Sequence, residues 1–160
     1  MKAIGRKAAA CAAALGLTTT GGTAWAAVRA LSHDDALAKL DATCTAATTK
    51  ADSLNTAFAD LEVGQQPARW RAFLDQAGRI ESSFGASVAK IKSTDAADNA
   101  ALASIKSTSA ATSKTLRSLR AAVGSASFGE KLDAATTQYD ARAAGVQVLL
   151  DAAGLTCNYY

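Results

Sequence analysis

The chain has 160 residues, 49% of them hydrophobic and only 6% aromatic, and carries 17 lysines and arginines against 14 aspartates and glutamates. Its net charge of +3 comes from Lys2, Arg6 and Lys7, because the rest of the chain holds 14 charges of each sign. This balance argues against nucleic acid and anionic membranes as partners, since both attract clustered basic side chains.

The first 26 residues have the pattern of a secretory signal peptide. The three basic residues precede an apolar run over residues 8–17, and Ala24-Trp25-Ala26 fits the small-x-small cleavage rule. We therefore expect a protein exported across the cytoplasmic membrane, either secreted or retained in the cell envelope. Residues 27–160 would form one domain with no membrane anchor, because no later stretch approaches the roughly 20 apolar residues of a membrane-spanning helix. Val28-Arg29-Ala30 also matches the rule, so cleavage after Ala30 is an alternative.

Cleavage removes one of the three cysteines, Cys11, and leaves Cys44 and Cys157. Paired thiols persist as disulfides in oxidising compartments. An exported chain with two cysteines therefore predicts a Cys44–Cys157 disulfide.

The first predicted helix begins after Ser32, an N-cap residue followed three positions later by Asp35. Its apolar positions alternate three and four residues apart, which is a heptad pattern of core-facing residues. They are Leu37, Leu40, Cys44, Ala47, Ala51, Leu54, Phe58 and Leu61.

The second predicted helix opens at Pro67, which suits a first helical turn. Its core-facing positions are Trp70, Phe73, Ala77, Ile80, Phe84, Val88 and Ile91. A cap within residues 93–98 opens a third helix, although the short turn also allows helices two and three to form one bent rod. The third helix faces inward with Leu102, Ile105, Ser109, Thr112, Leu116, Leu119 and Val123.

Gly124 suits a helix C-cap, and Ser127-Phe128-Gly129-Glu130 has the capping-box pattern for a fourth helix that ends at Gly154. Its core-facing positions are Leu132, Ala135, Tyr139, Ala143, Val146, Leu149 and Leu150. Four helices joined by short turns predict an all-α, up-down-up-down four-helix bundle with heptad-like packing.

Counting along the helices from the turns places large apolar residues at both ends of this bundle and small or hydroxylated residues at its middle. The middle layer contains Ala47, Ala51, Ala77, Gly78, Ser109, Thr112 and Tyr139. Small side chains can leave a ligand cavity, with Ser109, Thr112, Tyr139 and Gly78 as its candidate lining. They can equally let the helices approach closely, with the Tyr139 ring filling the gap. The sequence leaves both alternatives open.

His33 is the only histidine, so a Ser-His-Asp or Cys-His catalytic site would require a nucleophile beside it. Its neighbours Asp34 and Asp35 point in different directions from a helix and form a poor metal-binding set. Cleavage after Ala30 would instead place His33 third in the chain, where a free amine, two amides and an imidazole suit Cu(II) or Ni(II). We otherwise expect no metal site and no catalytic residues.

The segments Asp41-Ala42-Thr43-Cys44 and Thr156-Cys157-Asn158-Tyr159-Tyr160 resemble the cysteine contexts of small, exported, alanine-rich helical proteins of actinobacteria, which include a haemophore-related group. The resemblance implies one disulfide and the capture of haem or another small ligand. For haem, the resemblance implies an axial ligand from among Tyr159, Tyr160, Tyr139 or His33.

Two functions follow as expectations. The heptad patterns and the missing catalytic constellation favour a secreted, non-catalytic helical protein that binds a protein partner or a second copy of itself. The alternative is an extracellular carrier of haem or another small apolar ligand.

Overall fold

The computed structural model describes residues 29–159, so the predicted signal peptide, both sides of the Ala26 cleavage position, Cys11 and Tyr160 lie outside the described residues. It contains four helices: α1, His33–Ala57; α2, Pro67–Val88; α3, Ala96–Ala122; and α4, Phe128–Ala153. Apart from one backbone bridge between Leu31 and Ser93, residues 29–159 contain no β-structure. The predicted all-α four-helix bundle is confirmed.

Local capping explains where three of the helices begin. The Ser32 hydroxyl accepts a hydrogen bond from the Asp35 amide at 3.2 Å and donates to the Asp35 carboxylate at 2.7 Å, as the capping pattern predicted. Pro67 occupies the first turn of α2. Asp95 caps α3, and its extended backbone separates α3 from α2, so the bent-rod alternative is wrong.

Two predicted helix ends are corrected. Ser127 makes no capping hydrogen bond, because its backbone is close to helical and its hydroxyl lies 3.3 Å from that of Ser125. Helix α1 ends at Ala57, before Phe58 and Leu61. Arg69 holds the following turn, since its guanidinium donates to the Asp60 carboxylate at 2.6 and 2.7 Å and to the Ala57 carbonyl.

The buried residues form two clusters, one at each end of the bundle, as the layer counting predicted. The first surrounds Leu40, Ile105 and Leu150 and includes both cysteines, and the second surrounds Trp70, Leu119 and Phe128. Leu149 was predicted to face the core but is 39% exposed, beside Val148 at 66%. Leu150, which was also predicted to face the core, is buried, so the core-facing stripe of α4 contains one residue fewer than expected.

The backbones of α1 and α4 approach each other less closely than those of the other neighbouring helices, although Leu40 of α1 and Leu150 of α4 share one buried cluster. Close backbone approaches join α1 to α2, α2 to α3, and α3 to α4. Between α1 and α4 lies the segment after α4, residues 155–159, which we call the tail. The predicted disulfide Cys44–Cys157 is present and fixes the tail to α1, and the Thr48 hydroxyl donates to the Asn158 carbonyl at 3.3 Å. The tail therefore covers part of the gap between α1 and α4.

Within residues 29–159, the structure contains no helix with the length and apolar character needed to cross a bilayer.

Candidate functional site

The part of the gap between α1 and α4 that the tail does not cover opens into a cleft of about 570 Å³ at the middle of the bundle. All four helices and the tail contribute to it. Its apolar walls are formed chiefly by Leu54, Phe73, Leu74, Ala77, Ile80, Leu116, Leu119, Leu132 and Ala135. Its volume is within the range of roughly 300 to 1,000 Å³ typical of sites for small molecules.

The four residues predicted to line a cavity have different positions. Thr112 and Tyr139 line the cleft. Ser109 is buried behind it, and Gly78 is not part of its lining. A Cβ atom added at Gly85 would lie 3.0 Å from the Ser109 hydroxyl oxygen, so α2 and α3 approach closely there. Both packing alternatives therefore occur in the middle layer: close contact between α2 and α3, and open volume towards α1 and α4.

Glu81 is a polar residue of the cleft lining that was not among the predicted site residues. It is only 4% exposed. The Tyr159 hydroxyl donates to Oε1 at 2.7 Å, and the Ser109 hydroxyl lies 2.9 Å from Oε2. Burial raises the pKa of Glu81, although these two hydroxyl groups act in the opposite direction.

Two further hydroxyl groups lie in the cleft wall. The Tyr139 hydroxyl donates to the Tyr159 carbonyl at 3.3 Å, and burial together with the nearby charges of Glu81 and Asp140 raises the Tyr139 pKa to about 12. The buried Thr112 hydroxyl has no hydrogen-bond partner within the part of the chain that the structure describes. An unsatisfied buried hydroxyl is costly, and a ligand group that reached it would remove the cost.

The mouth of the cleft carries one charge of each sign. Asp52 lies on the α1 side and Arg142 on the α4 side, where the Arg142 guanidinium donates to the Gln138 side chain at 3.4 Å. The charged residues at the mouth therefore give no net attraction for anions or cations.

His33 belongs to a separate cluster at the start of α1. Its Nδ1 lies 2.9 Å from the carboxylate of the fully buried Asp98, which raises the pKa of His33. The Ser93 hydroxyl donates to the same carboxylate at 2.6 Å. Because Ser93 bonds Asp98 and not His33, the three residues lack the nucleophile-to-base contact of a catalytic triad. They join the start of α1 to the turn before α3.

Of the predicted haem ligands, Tyr139 and Tyr159 line the cleft together, whereas His33 lies apart from them. Within residues 29–159, no three His, Cys, Asp or Glu side chains are grouped to hold a metal ion. Asp98 engages the Nδ1 atom of His33, so that nitrogen would have to leave Asp98 to join an N-terminal copper site. His33 also lies outside the cleft, and the raised pKa of Tyr139 disfavours the phenolate that would bind haem iron.

We expect the free energy of unfolding to fall as the pH rises from 5 to 8. The folded-state pKa is raised for both Glu81, from 4.5, and His33, from 6.5. Each group therefore contributes stability below its unfolded pKa that is lost as the pH rises through its folded pKa. Asp60, whose pKa Arg69 lowers from 3.8, acts in the opposite direction only at more acidic pH.

Urea unfolding measured across this pH range tests the expectation. Glu81→Gln should remove the part of the slope that starts near pH 4.5, and His33→Gln the part that starts near pH 6.5. A stability that stays constant or increases from pH 5 to pH 8 would contradict it.

Searches against protein-family models, curated proteins and solved structures give no significant match for this chain.

Proposed function

We propose that this protein binds a small, largely apolar molecule in the cleft and acts as a carrier for it. The observation that supports the proposal is the combination of about 570 Å³ of volume with mainly apolar walls and a few convergent polar groups. This combination is typical of small-molecule sites in helical bundles. It is uncommon in the interior of a small domain, which is normally close-packed.

We place the carrier hypothesis above that of self-association or a protein partner for a physical reason. The heptad patterns suggested self-association or a protein partner, but most of their apolar residues pack inside the bundle itself. Those residues are therefore not free to form a second interface. The adjacent exposed residues Val148 and Leu149 are too few to support a docking surface. Binding of a protein partner or a second copy stays a prediction.

The test is a fluorescence titration with N-phenyl-1-naphthylamine, a neutral apolar dye whose emission rises in apolar surroundings. Ala135 lines the cleft, whereas its neighbour Ala134 is exposed. We expect Ala135→Phe to weaken dye binding by about tenfold or more, because the ring would occupy the cleft. The matched variant Ala134→Phe adds the same ring outside the cleft and should leave the affinity unchanged.

Light scattering coupled to size-exclusion chromatography distinguishes this proposal from self-association. A monomer that binds the dye supports the carrier. A stable dimer in which the dye does not bind, or equal effects of the two phenylalanine variants, would reject it.

A further inference from the structure

Within residues 29–159, the buried carboxyl group of Glu81 has no positively charged partner. Among the described residues, its hydrogen-bond neighbours are neutral hydroxyl groups: Tyr159 donates to Oε1, and Ser109 lies 2.9 Å from Oε2 and 2.6 Å from the Glu81 carbonyl oxygen. The ion pairs among residues 29–159 join His33 to Asp98, Arg69 to Asp60 and Arg120 to Asp75, and none includes Glu81. A buried carboxylate is normally paired with a cation, because hydroxyl donors recover only part of its lost hydration.

The surroundings of Glu81 favour a positive charge within the cleft. The aromatic residues Tyr139 and Tyr159 both line the cleft. The Tyr159 hydroxyl donates to the Glu81 carboxylate, and the Tyr139 hydroxyl donates to the Tyr159 carbonyl. Aromatic faces attract cations, most strongly where water is excluded. Thr112 lines the same cleft, although its unsatisfied hydroxyl oxygen is itself buried.

The remaining lining favours an apolar body attached to that charge. Leu74, Leu116, Leu119 and Leu132 line the cleft on α2, α3 and α4. Arg142 is the feature that would favour an anionic ligand, but it lies at the mouth, opposite Asp52. Glu81 is buried, and a charge that is removed from water interacts more strongly than one at the surface. Glu81 therefore has a larger effect than Arg142 on which ligand is bound.

We propose that the ligand of the cleft is a hydrophobic amine, in which an apolar body carries a protonated primary or secondary amino group that pairs with the Glu81 carboxylate. The ammonium group donates to Glu81, and the apolar body lies among the leucines. The inference rests on the proposed carrier function and adds the chemical class of the ligand to it.

Three probes of equal chain length test the inference: decylammonium, decanol and decanoate. Each is titrated into the full folded protein by calorimetry at pH 7.5, below the concentration at which it forms micelles. We expect decylammonium to bind about tenfold or more tightly than decanol, and decanoate to bind most weakly. Equal affinities for decylammonium and decanol, or tightest binding of decanoate, would overturn the inference.

Glu81→Gln is the variant that assigns the preference to this carboxylate. It keeps the size of the side chain and removes the charge, so decylammonium should bind no better than decanol. Glu130→Gln, at an exposed glutamate in the first turn of α4, is the matched control and should keep the preference. A preference that survives in Glu81→Gln would overturn the role of Glu81.

The dye titration separates the two proposals. If the naphthylamine dye binds but the wild-type protein does not prefer decylammonium, the carrier function stands and the amine inference fails. If neither the dye nor any of the three probes binds, the carrier proposal fails. The wild-type probe series alone decides between these outcomes, even if Glu81→Gln does not fold.

Discussion

Replacing Cys44 and Cys157 together by alanine is expected to lower the free energy of unfolding by about 4 to 5 kcal/mol. The two residues are separated by 113 positions, so the disulfide restricts a large part of the unfolded chain. Both are buried in the cluster around Leu40 and Leu150, so the substitution also removes packing at that end of the bundle. Urea unfolding monitored by circular dichroism measures the loss.

The same substitution should alter the cleft more than the helices. The tail is held on α1 by the disulfide and by the contact of Thr48 with Asn158, and it carries Tyr159 into the cleft wall. Without the disulfide, we expect Tyr159 to leave Glu81 and ligand affinity to fall.

A reductant provides the control for the cysteine experiment. It should weaken the wild-type protein by a similar amount and leave the double-alanine variant unchanged, because that variant has no disulfide to lose. A double-alanine variant as stable as the oxidised wild-type protein would show that the disulfide contributes little.

Asp98→Ala is expected to cost about 2 to 3 kcal/mol of stability. The carboxylate is fully buried and accepts hydrogen bonds from Ser93 and His33. Its removal leaves the buried Ser93 hydroxyl without this acceptor and detaches the start of α1 from the turn before α3. The free energy of unfolding at pH 6 gives the size of the effect.

The pH dependence distinguishes the contact with His33 from simple packing. Asp98→Asn keeps the shape and can still accept from Ser93, but it removes the charge that raises the pKa of His33. We expect this variant to lose less stability than Asp98→Ala and to lose the part of the pH slope that begins near pH 6.5. If the slope in Asp98→Asn equals that of the wild-type protein, another group causes it.

Features set by local sequence were predictable. The caps at Ser32 and in the segment before α3, the position of Pro67 and the left-handed Gly154 all depend on residues within a few positions of one another. The disulfide followed from the cysteine count and the expected compartment. The two apolar ends followed from helix lengths and turns, which define the layers of an antiparallel bundle.

Glu81 was missed because heptad spacing alone allows two registers on α2, and the one that buries Glu81 places a charged residue in the core. The predicted register of core-facing residues runs through Phe73 and Ile80, because both are apolar. In the structure Leu74 and Glu81 are buried instead, whereas Phe73 and Ile80 are half-buried at the cleft. The spacing from Trp70 through Leu74 and Glu81 carried this signal, but a charged residue at a core-facing position is normally grounds for rejecting a register.

The contacts of the tail could not be predicted for a different reason. Tyr159 reaches Glu81 across 78 positions, and His33 reaches Asp98 across 65. No local pattern encodes such pairs, because they depend on how far the tail turns back and how the helices rotate. The open volume between α1 and α4 results from the same long-range geometry.

The late position of the tail in the chain has a consequence for the order of folding. All helical parts of the cleft lie before residue 154, whereas Asn158 and Tyr159 are synthesised after them. Contacts that span many residues form slowly, because the intervening chain must first be ordered. We therefore expect the newly made bundle to pass through a stage in which the helices are paired and the cleft is still uncovered. A hydrophobic molecule present at that stage would meet only the helical walls of the cleft, and docking of the tail would then add Asn158 and Tyr159 to its surroundings.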